Sequence, residues 1–184
     1  MPIVFGEPVN SVNDSLRVFQ RYGDDVRGTY RARYLFDQGA RDPYHGATLE
    51  RPPSLSQSPS EVVYPWEQIF VAAANCAGSD YPLLAAHLDI PLDRVEFVIE
   101  GVFDPRGEFD GLNGFRAPAD SASCYLSLHL RARLVSDARR EDLEAMHRRV
   151  VTKNMVLGAL RGIPKTDELI ILGKEMMTTA IRHQ

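Results

Sequence analysis

Cys76 is the side chain in this sequence most suited to covalent chemistry, because an ionised thiol is a strong nucleophile. It is one of two cysteines in 184 residues and lies nine positions after Glu67, in the stretch YPWEQIFVAAANCAG. Its small neighbours allow two interpretations: a small packing residue, or a reactive thiolate. Only about 3% of an unperturbed thiol is ionised at neutral pH. A reactive Cys76 therefore needs a cationic neighbour, such as an arginine that Glu67 orients through a bidentate pair.

The other candidate ligands and nucleophiles do not form a metal site in the sequence. Cys124 lies 48 positions after Cys76, on the apolar side of a predicted strand, which favours a core position. The five histidines include no pair at the helical or hairpin spacing of metal ligands. We therefore predict no metal and no cofactor, and two thiols that are free at rest.

Composition limits the partners of the chain. The formal net charge is −4, whereas nucleic acids and anionic membranes require a basic surface. No window approaches the roughly 18 apolar residues of a membrane span, and the N-terminus does not resemble a secretory signal. We therefore predict a cytoplasmic protein that binds neither nucleic acid nor membrane. The length favours one domain over residues 1–184, with a loose arm at 1–15 and a helical tail at 173–184.

The helix that carries Cys76 is predicted over residues 66–88, because apolar and small residues recur on one side of it. Pro82 lies within this span and predicts a kink about one turn after the cysteine. Strands and helices do not alternate strictly along the chain, which predicts an α+β fold. The predicted strands cover residues 16–23, 28–37, 93–104, 123–136 and 167–172, a second helix covers 136–162, and long connections cover 39–65 and 104–122.

The stretch from Pro65 to Cys76 resembles the OsmC/Ohr family, whose members are osmotically inducible protein C-like or organic hydroperoxide resistance-like. In that pattern a proline starts the helix, followed by acidic, apolar and small residues and then the peroxidatic cysteine. The stretch LDIPLDRVEFVIEGVFD resembles the strand that follows, and LEAMHRRVVTKNMVLGAL resembles the second central helix of the family. The resemblance extends over about residues 16–172.

The resemblance implies antiparallel sheets wrapped around two long central helices, in an intertwined homodimer with active sites at the interface. It implies that Cys76 reduces an organic hydroperoxide and becomes a sulfenic acid. In the family an arginine and a glutamate support this cysteine. A second cysteine, followed by proline, then closes a disulfide that a dithiol reopens.

The residues that support the cysteine in the family are matched only in part by this sequence. Glu67 matches one acidic position of the helix start, while Trp66 occupies the adjacent position of the catalytic glutamate in Ohr-type members. One residue corresponds to about 100° around a helix, so the two positions face different directions. Arg27 is our choice for the supporting arginine. The alternatives are Arg31, Arg33 and Arg41.

The second helix departs from the family pattern. The chain has Asn154 followed by Met155 where the family has cysteine and proline, so the resolving cysteine is missing. We therefore predict a one-cysteine cycle on a small apolar substrate, with an external thiol as reductant and with Trp66 and Asn154 lining the substrate site. The alternative is a protein of this fold without peroxidase chemistry. It would bind a small apolar ligand in the interface pocket, or use the cysteine as the nucleophile of another reaction.

Overall fold

The predicted α+β class is confirmed in the computed structural model, where one mixed five-stranded sheet packs against helices. The structure describes residues 3–4, 7–8, 11–51, 65–121 and 125–174. Among these residues, none of the helices is both long and apolar enough to cross a membrane. The helices are α1 (Val12–Tyr22), α2 (Pro65–His87), α3 (Arg140–Lys153) and α4 (Met155–Ala159), and the strands are β1 (Ile3–Val4), β2 (Glu7–Pro8), β3 (Gly28–Asp37), β4 (Tyr44–Glu50), β5 (Arg94–Phe103), β6 (Tyr125–Val135) and β7 (Lys165–Leu172).

The main sheet has the strand order β4-β3-β5-β6-β7. Its first three pairings are antiparallel, whereas β7 runs parallel to β6. The wholly antiparallel arrangement implied by the family resemblance therefore does not hold for this sheet. The reason is the crossover through α3 and α4, since a strand that returns after a helical connection can pair in the same direction as its neighbour.

One face of the sheet forms the core and the other carries charges, as the alternation in β3 predicts. Strand β3 has the predicted bounds, Gly28–Asp37. Its buried side chains are Tyr30, Ala32, Tyr34 and Phe36, which belong to the main hydrophobic core together with residues of α2 and β6. The opposite face bears ion pairs such as those of Arg31 with Glu100 and Glu50. The alternation of residues along β3 therefore correctly predicts which side chains face the core and which lie on the charged face.

Helix α2 lies close against the sheet at Gly78. A Cβ atom added to this glycine would overlap the ring of Tyr34 on β3. The neighbouring residues Ala74 and Ala77 are fully buried. Small side chains on this side of α2 thus allow a close approach of helix and strand, and this contact fixes the height of the whole helix above the sheet.

Replacing Gly78 by alanine is expected to destabilise the fold by about 1–3 kcal/mol, the usual cost of an overpacked core. The matched control is Gly158→Ala in α4, where an added Cβ meets nothing within 4 Å. There the change should stabilise by about 0.5–1 kcal/mol, because alanine favours a helix over glycine. Urea unfolding of both variants measures the two effects. Equal stabilities for the two variants would contradict this account of the contact.

The predicted strand over residues 16–23 is wrong, because this segment belongs to helix α1. Ser11 caps the helix, since its hydroxyl accepts a hydrogen bond from the backbone N–H of Asp14 at 3.2 Å. Leu16 and Phe19, three residues apart, are buried on one side. The cap together with this spacing favours a helix over a strand. The helix and the strands β1 and β2 also occupy much of the segment that was predicted to be a loose arm.

The excursion after β5 folds into three short 3-10 turns, and two of its aromatic rings pack against α1. Phe109 and Phe115 contact Phe19, with ring centroids 5.1 and 5.9 Å apart. At the start of the excursion, Asp104 is fully buried and accepts hydrogen bonds from Arg106 and Arg27. Burial acts to raise the pKa of Asp104, but the bonds from Arg106 and Arg27 outweigh it and leave this pKa below its usual range.

The second helix is interrupted, which the sequence analysis did not predict. Asn154 has an extended conformation and separates α3 from α4. Helix α3 begins at Arg140, whereas the sequence predicts a start near Ser136 or Asp137. The interruption has a local cause, because the Asn154 side chain satisfies the first N–H groups of α4 and so ends one helix where it starts the next.

A chain of hydrogen bonds runs from the core to the edge of the sheet. The hydroxyl of Tyr81 on α2 lies 2.6 Å from Nδ1 of His147 on α3. Nε2 of His147 lies 3.1 Å from a carboxylate oxygen of Asp167 on β7. Tyr81 and His147 are buried, and Asp167 is about half exposed. Burial raises the pKa of Tyr81 strongly, so its phenol keeps its proton.

Candidate functional site

Cys76 lies in the fourth turn of α2, and its side chain is half-buried. The amide nitrogen Nδ2 of Asn154 donates a hydrogen bond to its sulfur at 3.2 Å. The structure therefore brings together the two residues that the sequence analysis placed at the peroxidatic and resolving positions. Seventy-eight residues separate them along the chain, and the packing of α4 against α2 closes this distance.

The orientation of the Asn154 amide is determined by its partners. Its oxygen Oδ1 accepts hydrogen bonds from the backbone N–H groups of Val156 and Leu157, at 3.1 and 3.0 Å. Its nitrogen Nδ2 donates to Cys76 and, at 2.8 Å, to Asp80. An asparagine side chain has two donor hydrogens and two acceptor lone pairs, and all four are in use here. A flipped amide would set N–H groups against the N–H groups of Val156 and Leu157 and its oxygen against the carboxylate of Asp80, so the N–H groups point toward the sulfur.

Asp80 adds a negative charge beside the sulfur. It lies one helical turn after Cys76 on α2, and both side chains accept from the same nitrogen of Asn154. In the described part of the chain, no guanidinium group hydrogen-bonds to Cys76, and no cluster of three metal-binding side chains occurs. The site within one chain thus consists of a thiol, a neutral donor and a carboxylate.

Glu67 forms a buried ion pair, but with an arginine that the sequence analysis did not consider. Nε and one terminal nitrogen of Arg51 donate to the two carboxylate oxygens of Glu67, at 2.6 and 2.8 Å. Glu67 is 1% exposed and Arg51 is 21% exposed. Nine residues correspond to about 900° of helical rotation and about 13.5 Å of rise. The pair therefore lies on the side of α2 away from Cys76, so the two do not meet within one chain.

Arg27, our choice for the arginine at the cysteine, is placed in the ion-pair cluster at the end of β5. Its guanidinium donates to Asp104 at 2.9 Å and to Asp120 at 2.8 Å, which commits its donors there. The alternatives Arg31 and Arg33 lie on the charged outer face of the sheet and pair with Glu50. Arg41 is exposed between β3 and β4. Within one chain, none of these arginines reaches the sulfur through a hydrogen bond.

Two further predictions concern parts of the chain that are not described. The side chain of Trp66 lies outside the described residues, although its backbone belongs to the first turn of α2. Cys124 also lies outside them.

Arg51 was not predicted from the sequence, because it pairs with Glu67 across 16 positions. The two residues meet only because the end of β4 lies beside the start of α2. The place of Arg51 directly after a strand, ahead of a Pro- and Ser-rich segment, was the only signal.

No protein-family model matches the sequence, and the comparison with curated proteins finds no match. Solved structures do align. An OsmC-like protein from Mycoplasma pneumoniae aligns at 11% identity with a TM-score of 0.47, covering 61% of this chain and 74% of that one. A hypothetical protein from Aquifex aeolicus aligns at 13% identity with a TM-score of 0.48, covering 62% of this chain and 78% of that one. An organic hydroperoxide resistance protein OsmC from Legionella pneumophila aligns at 14% identity with a TM-score of 0.41, covering 75% of this chain and 94% of that one. Each of these three likenesses has a TM-score below 0.5 and concerns the fold alone.

Proposed function

We propose that the chain is a thiol-dependent redox protein in which Cys76 reduces an organic hydroperoxide or a similar small apolar electrophile. The proposal rests on one observation, the hydrogen bond from Asn154 Nδ2 to Cys76 Sγ. A donor aimed at sulfur stabilises the anionic thiolate that attacks, and also the sulfenate that forms. Because the other bonds of Asn154 hold the amide in place, this donor needs no rearrangement during the reaction.

The proposed reaction uses one cysteine and an external thiol. The thiolate of Cys76 attacks an oxygen of the hydroperoxide, a sulfur–oxygen bond forms as the oxygen–oxygen bond breaks, and the leaving alkoxide takes a proton to become an alcohol. The sulfur has then lost two electrons and is a sulfenic acid. One molecule of external thiol displaces water to form a mixed disulfide. A second molecule releases Cys76 and leaves as the oxidised disulfide. Asn154 stands at the position of the resolving cysteine and cannot carry out this step.

Treatment with one equivalent of cumene hydroperoxide is expected to add oxygen to Cys76 alone, without a disulfide between Cys76 and Cys124. The reason is that sulfenic acid forms at a reactive thiolate, whereas a disulfide requires Cα atoms within about 7 Å. Cys76 lies in the middle of α2, and Cys124 comes directly before β6 in the sequence. Non-reducing mass spectrometry measures both products, and Cys76→Ser is the control that should take up no oxygen. A crosslink with loss of two hydrogens would instead restore a two-cysteine cycle. An unmodified protein would exclude the peroxidase reaction.

A homodimer is part of this proposal. Leu83, two turns after Cys76 on the same side of α2, is 67% exposed, and Met155 beside Asn154 is 80% exposed. Large apolar side chains around a reactive residue favour a surface that a partner covers. We expect sedimentation at micromolar concentration to give a dimer of 20.6 kDa chains. A stable monomer that still reduces hydroperoxide would remove the dimer from the proposal.

A second candidate is a protein of the same fold that binds a small apolar ligand without redox chemistry. The carboxylate of Asp80 favours it, because a negative charge beside the sulfur opposes the thiolate. So does the position of the Arg51–Glu67 pair on the other side of α2. Unchanged Cys76 after the hydroperoxide treatment above, with a tightly bound apolar molecule in the purified protein, would favour this candidate.

A further inference from the structure

Asp80, one helical turn after Cys76 on α2, carries a negative charge without a counter-ion in the described part of the chain. There its side chain has a single hydrogen bond, which the neutral amide of Asn154 donates to Oδ2 at 2.8 Å. The other oxygen, Oδ1, has no hydrogen bond to a described residue, yet it is not one of the enclosed polar atoms without a partner. This oxygen therefore keeps surface that a small molecule can contact.

The carboxylate and the sulfur are close enough to act on the same small molecule. Both accept from Nδ2 of Asn154, at 2.8 and 3.2 Å, so Oδ2 of Asp80 and Sγ of Cys76 are at most about 6 Å apart. Both side chains are half-buried, and water screens a charge less at such a position than on an open surface. A molecule that contacts the sulfur is therefore exposed to the field of this carboxylate.

This field acts on the thiol that regenerates Cys76. That thiol must bring its own sulfur to the sulfur of Cys76, and Cys76 must then leave as a thiolate. Repulsion from Asp80 slows the approach of an anionic thiol and also raises the free energy of the departing thiolate. An ammonium group on the incoming thiol reverses the first effect and offsets the second.

We propose that the external reductant of Cys76 is an aminothiol, with an ammonium group two carbon atoms from its sulfur, and that Asp80 selects it; this inference rests on the one-cysteine cycle proposed above. A sulfur–sulfur bond of about 2 Å followed by two carbon atoms brings the ammonium group to the carboxylate. The sulfenic acid and one aminothiol give a mixed disulfide and water. A second aminothiol attacks the outer sulfur, Cys76 leaves as a thiolate and takes a proton, and the two aminothiols have together given up two electrons.

The test starts from the mixed disulfide and therefore needs no hydroperoxide. 2-Hydroxyethyl methanethiosulfonate places a neutral group on Cys76 of the full chain. Cysteamine, 2-mercaptoethanol and 3-mercaptopropionate, which carry a positive, a neutral and a negative group, then release it. Mass spectrometry of acid-quenched samples, on the peptide that contains Cys76, gives the rate constant for each thiol.

Each rate constant is divided by that of Asp80→Asn, which cancels the intrinsic reactivity of the thiol. The introduced amide oxygen can still accept from Asn154, so the site keeps its geometry. We expect the quotient for cysteamine to exceed the quotient for 3-mercaptopropionate by about tenfold at low ionic strength. In about 1 M salt the two quotients should converge, because charges more than about 3 Å apart are largely screened there.

Glu144→Gln is the control, because it removes an equal charge from α3, nine residues and about 13.5 Å of rise before the end of that helix. It should leave all three rate constants unchanged. Equal quotients for cysteamine and 3-mercaptopropionate would overturn the inference, even in a chain that forms the sulfenic acid. A Cys76 that the methanethiosulfonate does not modify would overturn it as well, because a small thiol could not contact the sulfur. Tenfold selection in a chain that gains no oxygen from cumene hydroperoxide would support the role of Asp80 and overturn the peroxidase function.

Discussion

Asn154→Cys is expected to form a disulfide with Cys76 when the protein is treated with one equivalent of cumene hydroperoxide. Nδ2 of Asn154 lies 3.2 Å from Sγ of Cys76, so the two side chains already converge as a disulfide requires. The introduced thiol would attack the sulfenic sulfur, form the sulfur–sulfur bond and release water. Non-reducing mass spectrometry should then find a single chain with loss of two hydrogens in place of an added oxygen.

The control for this prediction is Asn154→Ser, which supplies no thiol but can still cap α4 through its hydroxyl. It should behave like the unmodified chain and gain oxygen at Cys76. The cysteine variant loses the cap, so its free energy of unfolding should be lower by about 1 kcal/mol. This loss is too small to prevent the test. If Cys76 were overoxidised while the introduced thiol stayed free, the proposed geometry between α2 and α4 would be wrong.

Arg51→Met is expected to lower the free energy of unfolding by about 3–5 kcal/mol, the usual cost of removing one partner of a buried ion pair. Glu67 is 1% exposed and receives two hydrogen bonds from Arg51. Without the guanidinium, its charge would remain buried without its main counter-ion. Urea unfolding at neutral pH, with the slope compared among variants, gives the loss directly.

The double variant Arg51→Met with Glu67→Met separates the ion pair from general packing. An apolar pair of similar size often replaces a buried ion pair at little cost. The double variant should therefore be more stable than Arg51→Met alone. If the two losses simply added, Arg51 and Glu67 would not be coupled, and the pair would not anchor the end of β4 to the first turns of α2.

The best sequence predictions concern elements whose pattern is set by a single packed face. The alternation of aromatic and charged residues in β3 predicts its bounds and both faces, because each side chain meets either the core or water. The helix around Cys76 is observed at Pro65–His87, one residue from the predicted span. In this helix, the small residues that contact β3 form a clear sequence pattern together with the cysteine. No comparable pattern exists where neighbours come from distant parts of the chain.

The failures have this common cause. The segment from Leu16 can be read with a period of 2 or as a helix, and the cap at Ser11 decides for the helix. The ion pair of Glu67 depends on Arg51, whose position follows only from the end of β4. Within the chain, Arg27 donates to the buried Asp104, which is distant in sequence, and not to Cys76. Pairings between charged residues are set by tertiary structure, and the local sequence carries little trace of them.

The hydrogen-bond chain from Tyr81 to Asp167 determines the tautomer of a buried imidazole. Tyr81 keeps its proton and has no access to water, so its hydroxyl donates to Nδ1 of His147. Asp167 accepts from Nε2, so a neutral His147 carries its hydrogen on Nε2 alone. The ring cannot rotate by 180° without setting carbon atoms against both partners. One imidazole therefore fixes the relative orientation of α2, α3 and β7, and the helix that carries Cys76 is held by a directional link in addition to apolar contact.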